Sequence, residues 1–179
     1  MARKRNKLLI VDGYNVLRSG ERYKTTAFGP DYTDDAFNTA RERLINDVVN
    51  FAGRDWRAII VFDGAKNEFS TGETQTIGGV RIMFSPAGTS ADKVIEKLAY
   101  DARVRNVETM VVTSDATIQD TVFGGGIDRM SANGFSREVG MYYEDVHLDE
   151  TPKVALKRTL GDRIKPDVLE KLKALRDGA

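Results

Sequence analysis

The sequence predicts an α/β fold with a central, mainly parallel sheet. Short apolar runs of strand length alternate along the chain with segments whose apolar residues recur at helical spacing. Strands that alternate with helices are joined by right-handed crossovers, which make the strands parallel and place helices on the faces of the sheet. The chain has 179 residues and is 41% hydrophobic, enough for one compact domain with a tail.

Five strands are predicted in chain order. Most are continuous apolar runs that end at turn residues, as expected for strands buried on both faces. The first two runs both end in an Asp-Gly pair. The predicted strands are residues 7–11, 58–62, 80–84, 108–113 and 127–130.

Helices are predicted where apolar side chains recur every three or four residues. The longest runs from residue 37 to 52, with Thr33 as a cap before it and Gly53 at its end. The others are predicted for residues 92–102, 118–123 and 133–145, and after Pro166. In the helix at 133–145, Gly134 and Gly140 weaken the helical pattern. The segments 18–33 and 65–79 are predicted loops.

Composition excludes several kinds of site. The chain has no cysteine, which excludes disulfides, zinc–thiolate sites and thiol nucleophiles. Its one histidine, His147, excludes a multi-histidine metal site, and we interpret this residue as a surface or tail-packing side chain. Any metal would therefore have mainly oxygen ligands, which favours Mg²⁺ or Mn²⁺.

The sequence carries no membrane or export signal. No apolar run approaches the ~18 residues of a membrane span. The basic N-terminus passes straight into a strand and lacks the apolar stretch and cleavage site of a signal peptide. We therefore expect a cytoplasmic protein with no membrane partner.

Charge is distributed unevenly although the net charge is zero. Residues 1–7 carry four basic groups and no acid, and residues 151–179 carry eight basic groups and four acids. The segment between them has a net charge of −8. This division predicts an α/β domain over residues 1–150 and a basic helical tail over residues 151–179. The pattern fits a metal–carboxylate site between polyanion-binding ends, and it fits a solvated tail equally well.

Aspartates fall where predicted strands end. Asp12, Asp63 and Asp115 follow the first, second and fourth strands, and Asp92 opens the helix after the third. The carboxyl ends of parallel strands lie at one edge of a sheet, where ligands bind. We therefore expect the four carboxylates to converge.

Convergence of these acids requires compensation. Two carboxylates ~4 Å apart repel by ~4 kcal/mol at an effective dielectric of ~20. A divalent cation is the simplest compensation, and it would bind phosphate oxygens and activate water. Each acid also has a structural interpretation: Asp12 and Asp63 in Asp-Gly turns, Asp92 in a capping box with Thr89, and Asp115 in the first turn of a helix. The joint pattern favours the metal site.

Other residues beside the aspartates are candidates for substrate binding. Asn15, Thr113 and Ser114 could orient substrate or water, although a turn, a strand end and a cap are their structural alternatives. Single-stranded RNA needs cations along its backbone and aromatic faces for stacking. The cationic candidates are Arg18, Arg22, Lys24, Lys66 and Arg129, and the aromatic candidates are Tyr14 and Tyr23.

Four segments of the chain resemble one known family. They are residues 9–17 (LIVDGYNVL), 61–64 (VFDG), 89–96 (TSADKVIE) and 111–115 (VVTSD). In this order they are similar to the YacP-like NYN family, which is part of the wider group of PIN-like nucleases. The resemblance covers residues 7–145 and leaves out most of the tail.

The resemblance implies a PIN-like three-layer α/β/α fold and a magnesium- or manganese-dependent endoribonuclease. Asp12, Asp92 and Asp115 then correspond to the metal-site carboxylates, Asp63 to a further acidic member and Asn15 to a site residue. A ribosome-associated endonuclease that cuts messenger RNA resembles this family, so messenger RNA and the ribosome become candidate partners.

Three rival interpretations remain. A phosphatase of the haloacid dehalogenase type needs a second aspartate two residues after the first, and Tyr14 at that position argues strongly against it. A catalytically inactive RNA-binding or ribosome-binding adaptor of the same fold ranks second, because the four aspartates are intact. A ribosome-assembly protein is the third.

Overall fold

A computed structural model describes residues 7–28, 33–64, 74–122 and 124–146. The predicted fold class is confirmed: a six-stranded, mostly parallel sheet is combined with helices on its faces. The described residues fall into two units, the first ending at Val139 and the second beginning at Gly140. All six strands belong to the first unit.

The elements alternate as the sequence predicts. The strands are β1 (Lys7–Asp12), β2 (Trp56–Phe62), β3 (Thr74–Ile77), β4 (Val80–Phe84), β5 (Thr109–Val112) and β6 (Ile127–Met130). The helices are α1 (Gly13–Ser19), α2 (Lys24–Phe28), α3 (Asp34–Ala52), α4 (Ala91–Val104), α5 (Ala116–Val122) and α6 (residues 132–146).

Strand β1 lies in the middle of the sheet. The strand order is β3-β4-β2-β1-β5-β6, and every neighbouring pair is parallel except β3 and β4. Leu9, Ile10 and Val11 of β1 are fully buried. Burial on both faces explains why β1 is a continuous apolar run instead of an alternating pattern.

The sheet has helices on both faces. Leu8 and Ile10 belong to an apolar cluster that includes Ile95 of α4 and Ile118 of α5. The residues between them in β1 point to the opposite face because strand side chains alternate. On that face α1 contacts β1 and β2, and α3 contacts β2 and β4. Because β1, β2 and β5 are parallel, their carboxyl ends lie at one edge of the sheet.

The segment 18–33 is not a simple loop, so that prediction was wrong. Helix α1 covers its first two residues and α2 lies within it, while residues 29–32 are outside the described ranges. Both helices are short, and their apolar faces hold too few residues to show a helical period. Val16 and Leu17 of α1 and Ala27 of α2 are nevertheless fully buried.

The segment 65–79 contains a strand where a loop was predicted. All four residues of β3 are exposed, so the strand shows no alternating hydrophobic pattern, and it forms by antiparallel pairing with β4. Gly78 and Gly79 connect the two strands with φ of 56° and 81°. A Gly-Gly pair with two positive φ angles is a two-residue hairpin signal that the sequence does contain.

The predicted helix at 133–145 is confirmed and extends over residues 132–146. Two serine hydroxyls satisfy its first backbone donors. Ser131 Oγ accepts from the Gly134 N–H at 2.9 Å, and Ser114 Oγ accepts from the Ala132 N–H at 2.9 Å. These caps offset the weak helical propensity that Gly134 gives the first turn.

Several predicted features lie outside the described residues: Lys66, His147 and the tail at 151–179. The division at residue 150 therefore stays a prediction. Within the described ranges, no helix combines the length and apolar character that crossing a bilayer requires.

Gly13 starts α1 at a point where no side chain fits. A β-carbon at this position would overlap the ring of Phe62, whose Cδ1 would be 2.5 Å away. The ring cannot move freely because it packs against Tyr14 and Phe84. We expect Gly13→Ala to lower the free energy of unfolding by about 1–3 kcal/mol, the usual range for overpacking. Urea denaturation measures this change.

Gly140→Ala is the matched control. Gly140 lies within α6, and a β-carbon there would have no neighbouring atom within 4 Å. Alanine should raise the stability by about 0.5–1 kcal/mol through helix propensity. Equal effects of the two substitutions would contradict the close approach at Gly13.

Candidate functional site

The carboxyl edge of the sheet carries the predicted aspartates. Asp12 is the last residue of β1, and Asp63 directly follows β2. Val11 of β1 pairs with Val112 of β5, so Asp12 lies beside Thr113. Asp115 follows two residues later, and Asp92 stands in the first turn of α4. The expected gathering of strand ends at one edge is present in the structure.

Asp12 is a buried carboxylate with two hydrogen-bond donors. Its side chain is 6% exposed, and the Thr113 hydroxyl donates to Asp12 Oδ2 at 3.0 Å. Burial is the largest influence on its pKa, which rises to about 6. The Thr113 hydroxyl and the backbone N–H of Asn15 oppose the rise, while the charges of Asp92 and Asp115 add to it.

Asp92 is electrostatically coupled to the other acids. Burial raises its pKa above the usual range, and the charges of Asp115, Asp63 and Glu96 raise it further. The pKa shifts of Asp12 and Asp92 thus connect all four predicted aspartates in one electrostatic cluster. Glu96 is a fifth member that was not predicted from the sequence. Its position four residues after Asp92 on the same helical face was the available signal.

Ser85 is a second residue that was not predicted from the sequence. It directly follows β4, is fully buried, and donates its hydroxyl to Asp63 Oδ1 at 3.2 Å. The same hydroxyl accepts from the Gly64 N–H at 2.9 Å. Ser85 therefore fixes the direction of the chain after β2. A polar residue immediately after a predicted strand was the signal for it.

Thr113 links three parts of the edge. Besides donating to Asp12, its hydroxyl oxygen accepts from the Asp115 N–H at 3.1 Å. Its carbonyl accepts from Gln119 Nε2 at 2.6 Å. A valine would have the same shape but neither hydroxyl bond, so Thr113 orients both Asp12 and the backbone of Asp115.

Asn15 and Ser114 are joined by a hydrogen bond. The Ser114 N–H donates to Asn15 Oδ1 at 2.8 Å, which directs the amide NH₂ of Asn15 elsewhere. The hydroxyl of Ser114 is used at the start of α6. Asp115 Oδ1 accepts from the Thr117 N–H at 2.8 Å and so also supports the beginning of α5. The two N–H donors of the Asn15 amide are not used in this hydrogen bond.

Two predicted RNA contacts serve another purpose. Arg22 Nε donates to Asp47 Oδ2 at 2.7 Å, and the Tyr23 hydroxyl donates to the same oxygen at 2.7 Å. Tyr23 and Asp47 are buried at 0% and 2% exposure. Tyr23 therefore cannot stack a base, which corrects that prediction. Lys24 pairs with Glu21 at 2.7 Å on the surface.

The remaining predicted RNA contacts lie on different elements of the structure. Arg18 is exposed in the last turn of α1, and Arg129 is exposed on the edge strand β6. Tyr14 is half-buried and packs against Phe37 and Phe62, with ring centroids 5.6 and 5.1 Å apart. Arg18 and Arg129 stay predicted RNA contacts.

The donor chemistry of the edge fits a hard divalent cation. Within the described ranges, no three acidic side chains are arranged to hold one ion together. Mg²⁺ commonly keeps several waters and binds through one or two carboxylates, so a complete protein cage is not required. Asp12 and Asp92, buried and half-buried among other acids, suit this mode of binding.

Comparisons with known proteins agree with the resemblance seen in the sequence. The family model of the YacP-like NYN domain matches residues 9–177. The uncharacterized protein YacP of Bacillus subtilis (strain 168) is 32% identical over 132 residues, which are 74% of each chain. The crystal structure of Rae1 (YacP) from Bacillus subtilis is 28% identical over 96% of this chain and 95% of that one, with a TM-score of 0.64.

A tryptophan-to-leucine mutant of the same Bacillus subtilis protein is 30% identical over 83% of both chains, also with a TM-score of 0.64. The family match corrects one expectation. It extends through residue 177, so the family model includes the C-terminal segment that lay outside the resemblance of the four sequence segments.

Asp12 should make the stability of the metal-free protein depend on pH. Its pKa is about 6 in the folded chain against an ordinary value of 3.8, so folding favours the protonated form. The associated stability is present below pH ~4 and is lost as pH rises through ~6, by at most about 3 kcal/mol. In EDTA, Asp12→Asn should remove this loss and melt above the wild type at pH 8.

Asp55→Asn provides the control, because Asp55 is exposed in the turn before β2, at the opposite edge of the sheet. It should keep the wild-type difference between pH 4 and pH 8. If Asp12→Asn and wild type lose stability in parallel over this interval, the carboxylate of Asp12 does not titrate as described.

Proposed function

Because this chain belongs to the YacP-like NYN domain family, a family of the nuclease type, we propose that it is a divalent-metal-dependent endoribonuclease acting on single-stranded RNA. The observation that carries the proposal is the cluster of Asp12, Asp63, Asp92 and Asp115 at one sheet edge. Burial and mutual repulsion raise the pKa values of Asp12 and Asp92, and a bound cation would relieve both effects.

Asp12, Asp92 and Asp115 would hold the cation, with Asp63 as a further acidic member. A Mg²⁺ or Mn²⁺ ion at this edge would supply Lewis acidity toward a phosphate oxygen and lower the pKa of a water molecule. Thr113 contributes by fixing the Asp12 carboxylate and the Asp115 backbone. Ser85 does the same for Asp63.

Substrate binding would use groups around the acidic edge. Asn15 presents amide donors, since its Oδ1 already accepts from Ser114. Ser114 itself is exposed beside the cluster. Arg18, Lys66 and Arg129 would bind phosphates along an RNA strand, because cations on the flanks offset the repulsion between RNA and aspartates.

A more specific proposal concerns the kind of RNA and the partner. We propose messenger RNA as the substrate and the ribosome as a partner in the cytoplasm, with the basic tail at 151–179 as the docking segment. This tail has eight basic groups and four acidic groups, and the excess of positive charge supports binding to ribosomal RNA. Co-sedimentation with ribosomes should be salt-sensitive and should disappear on deletion of the tail, whereas survival after deletion would contradict the tail's role.

One observation favours a second candidate, a catalytically inactive RNA-binding or ribosome-binding adaptor. Among the described residues, no three acids are arranged around a common point that an ion could occupy. An adaptor would bind RNA with the same affinity in Mn²⁺ and in EDTA and would never cleave it.

Cleavage of a fluorescently labelled single-stranded RNA tests the nuclease. The wild type should cleave with Mn²⁺ or Mg²⁺ and not in EDTA. Asp12→Asn should reduce the rate about 100-fold or more, equivalent to about 3 kcal/mol of the activation barrier. Unchanged RNA after incubation of the wild type with both metals would exclude the nuclease and leave the adaptor.

Metal binding is measured separately by thermal melting. A ligand that binds only the folded state raises the melting temperature. Mn²⁺ should raise it for the wild type and for the control Asp55→Asn, but not for Asp92→Asn. Cleavage that is lost in Asp92→Asn while the Mn²⁺ shift persists would mean that Asp92 acts without holding the ion.

A further inference from the structure

A cavity of about 330 Å³ lies on the α4 side of the sheet. Its walls come from the beginnings of β1, β2 and β4, from β3, and from the C-terminal part of α4. The aspartates lie at the other ends of these elements. The cavity is therefore a feature separate from the acidic edge.

The cavity exists because α4 covers only part of its face of the sheet. Helix α4 packs on β1, β2 and β5. Arg81 of β4 pairs with Thr76 of β3 and with Ile59 of β2, so these three side chains share the face toward α4. Near β3 and β4, part of this face of the sheet is therefore not covered by α4.

Three arginines line this cavity: Arg57, Arg81 and Arg105. All three are exposed, and among the described residues none of them forms an ion pair. Asp101 is the one acidic residue among the described residues of the lining. The C-terminal end of α4 adds partial negative charge. The three guanidinium groups outweigh these contributions, so the cavity attracts anions.

The rest of the lining is largely apolar. Leu8, Ile59 and Leu98 are apolar residues of the lining on the face toward α4, next to the guanidinium groups. Ligand sites in proteins have volumes of about 300–1,000 Å³ and combine apolar walls with a few polar anchors. Guanidinium groups bind phosphate in bidentate fashion and stack on bases.

We propose that this cavity binds a nucleotide unit, with its phosphate on Arg57, Arg81 and Arg105 and its base against the apolar wall. The unit could belong to an RNA strand or to a free nucleotide. Leu8 lies four residues before Asp12, about 13 Å along β1. An RNA strand held at the acidic edge could thus reach the cavity, and this RNA source rests on the proposed function.

Binding is measured in EDTA, where no metal-dependent cleavage occurs. Fluorescence anisotropy follows a labelled single-stranded oligonucleotide bound to the full chain. The triple variant Arg57→Gln, Arg81→Gln and Arg105→Gln should weaken binding at least about 10-fold. The slope of log K against log salt should decrease by about 0.7, since the three arginines share one phosphate and each phosphate contact on a single strand contributes about 0.7.

Arg54→Gln is the matched control, because Arg54 is exposed in the turn before β2 and does not line the cavity. It should leave binding nearly unchanged. If the triple variant does not fold, the double variant Arg81→Gln and Arg105→Gln serves instead, with an expected decrease in slope of up to about 0.7.

A second arm uses AMP and inorganic phosphate in isothermal titration calorimetry. AMP binding that is lost in the triple variant, without a change in oligonucleotide binding, identifies a free-nucleotide site. Asp101→Asn should strengthen binding of the preferred ligand about two- to fivefold, because it removes the opposing carboxylate. If the arginines had a purely structural role, Asp101→Asn would not change the ligand affinity in the direction opposite to the arginine substitutions.

Unchanged binding of both the oligonucleotide and AMP by the triple variant would overturn the inference. Phosphate and AMP binding with equal affinity would overturn the nucleotide assignment. Failure of the proposed nuclease is a separate result, because it appears as uncleaved RNA in Mn²⁺ whereas these measurements contain no metal.

Discussion

The burial of one carboxylate, Asp12, is the constraint on which the rest of this structure depends. Asp12 ends the central strand and is 6% exposed, so its charge loses most of its hydration. Two hydrogen bonds replace part of that hydration, yet its pKa stays near 6. At neutral pH the ionised Asp12 therefore destabilises the folded chain. The cost is a considerable part of the free energy of unfolding, which for most domains is only about 5–15 kcal/mol.

Neutral groups donate hydrogen bonds to three of the acids. Thr113 donates to Asp12, Ser85 donates to Asp63, and the Thr117 N–H donates to Asp115. An arginine or lysine in these places would lower the pKa values and would also occupy the carboxylate oxygens. These neutral donors orient the three carboxylates without adding a positive charge of their own, as the proposed cation binding requires.

The ion pair of Asp47 shows the opposite arrangement. Asp47 receives hydrogen bonds from Arg22 and Tyr23 and lies away from the strand ends. Its charge is neutralised by a partner close by, which makes it a structural contact. The segment after α1 is thereby attached to α3, and the Glu21 N–H attaches it to Asn133 of α6 at 2.9 Å.

The sequence was sufficient for the fold and for the position of the acids, because strand alternation dictates both. Parallel strands have their carboxyl ends at one edge, so Asp12, Asp63 and Asp115 lie together whatever conformation the loops adopt. The roles of Arg22 and Tyr23 were not predictable in this way. They depend on Asp47, 25 and 24 residues away, and only tertiary packing shows that its carboxylate is buried beside them.

Helix α4 connects the acidic edge to the arginine cavity. Asp92 lies in its first turn and Arg105 caps its end, which is also the charge order that the helix dipole favours. A polyanion is repelled by the acidic end unless a cation is present there, whereas the arginine end attracts it at all times. Nucleotide binding at the cavity would therefore precede metal-dependent contact at the aspartates, and one amphipathic helix would set the distance between the two sites.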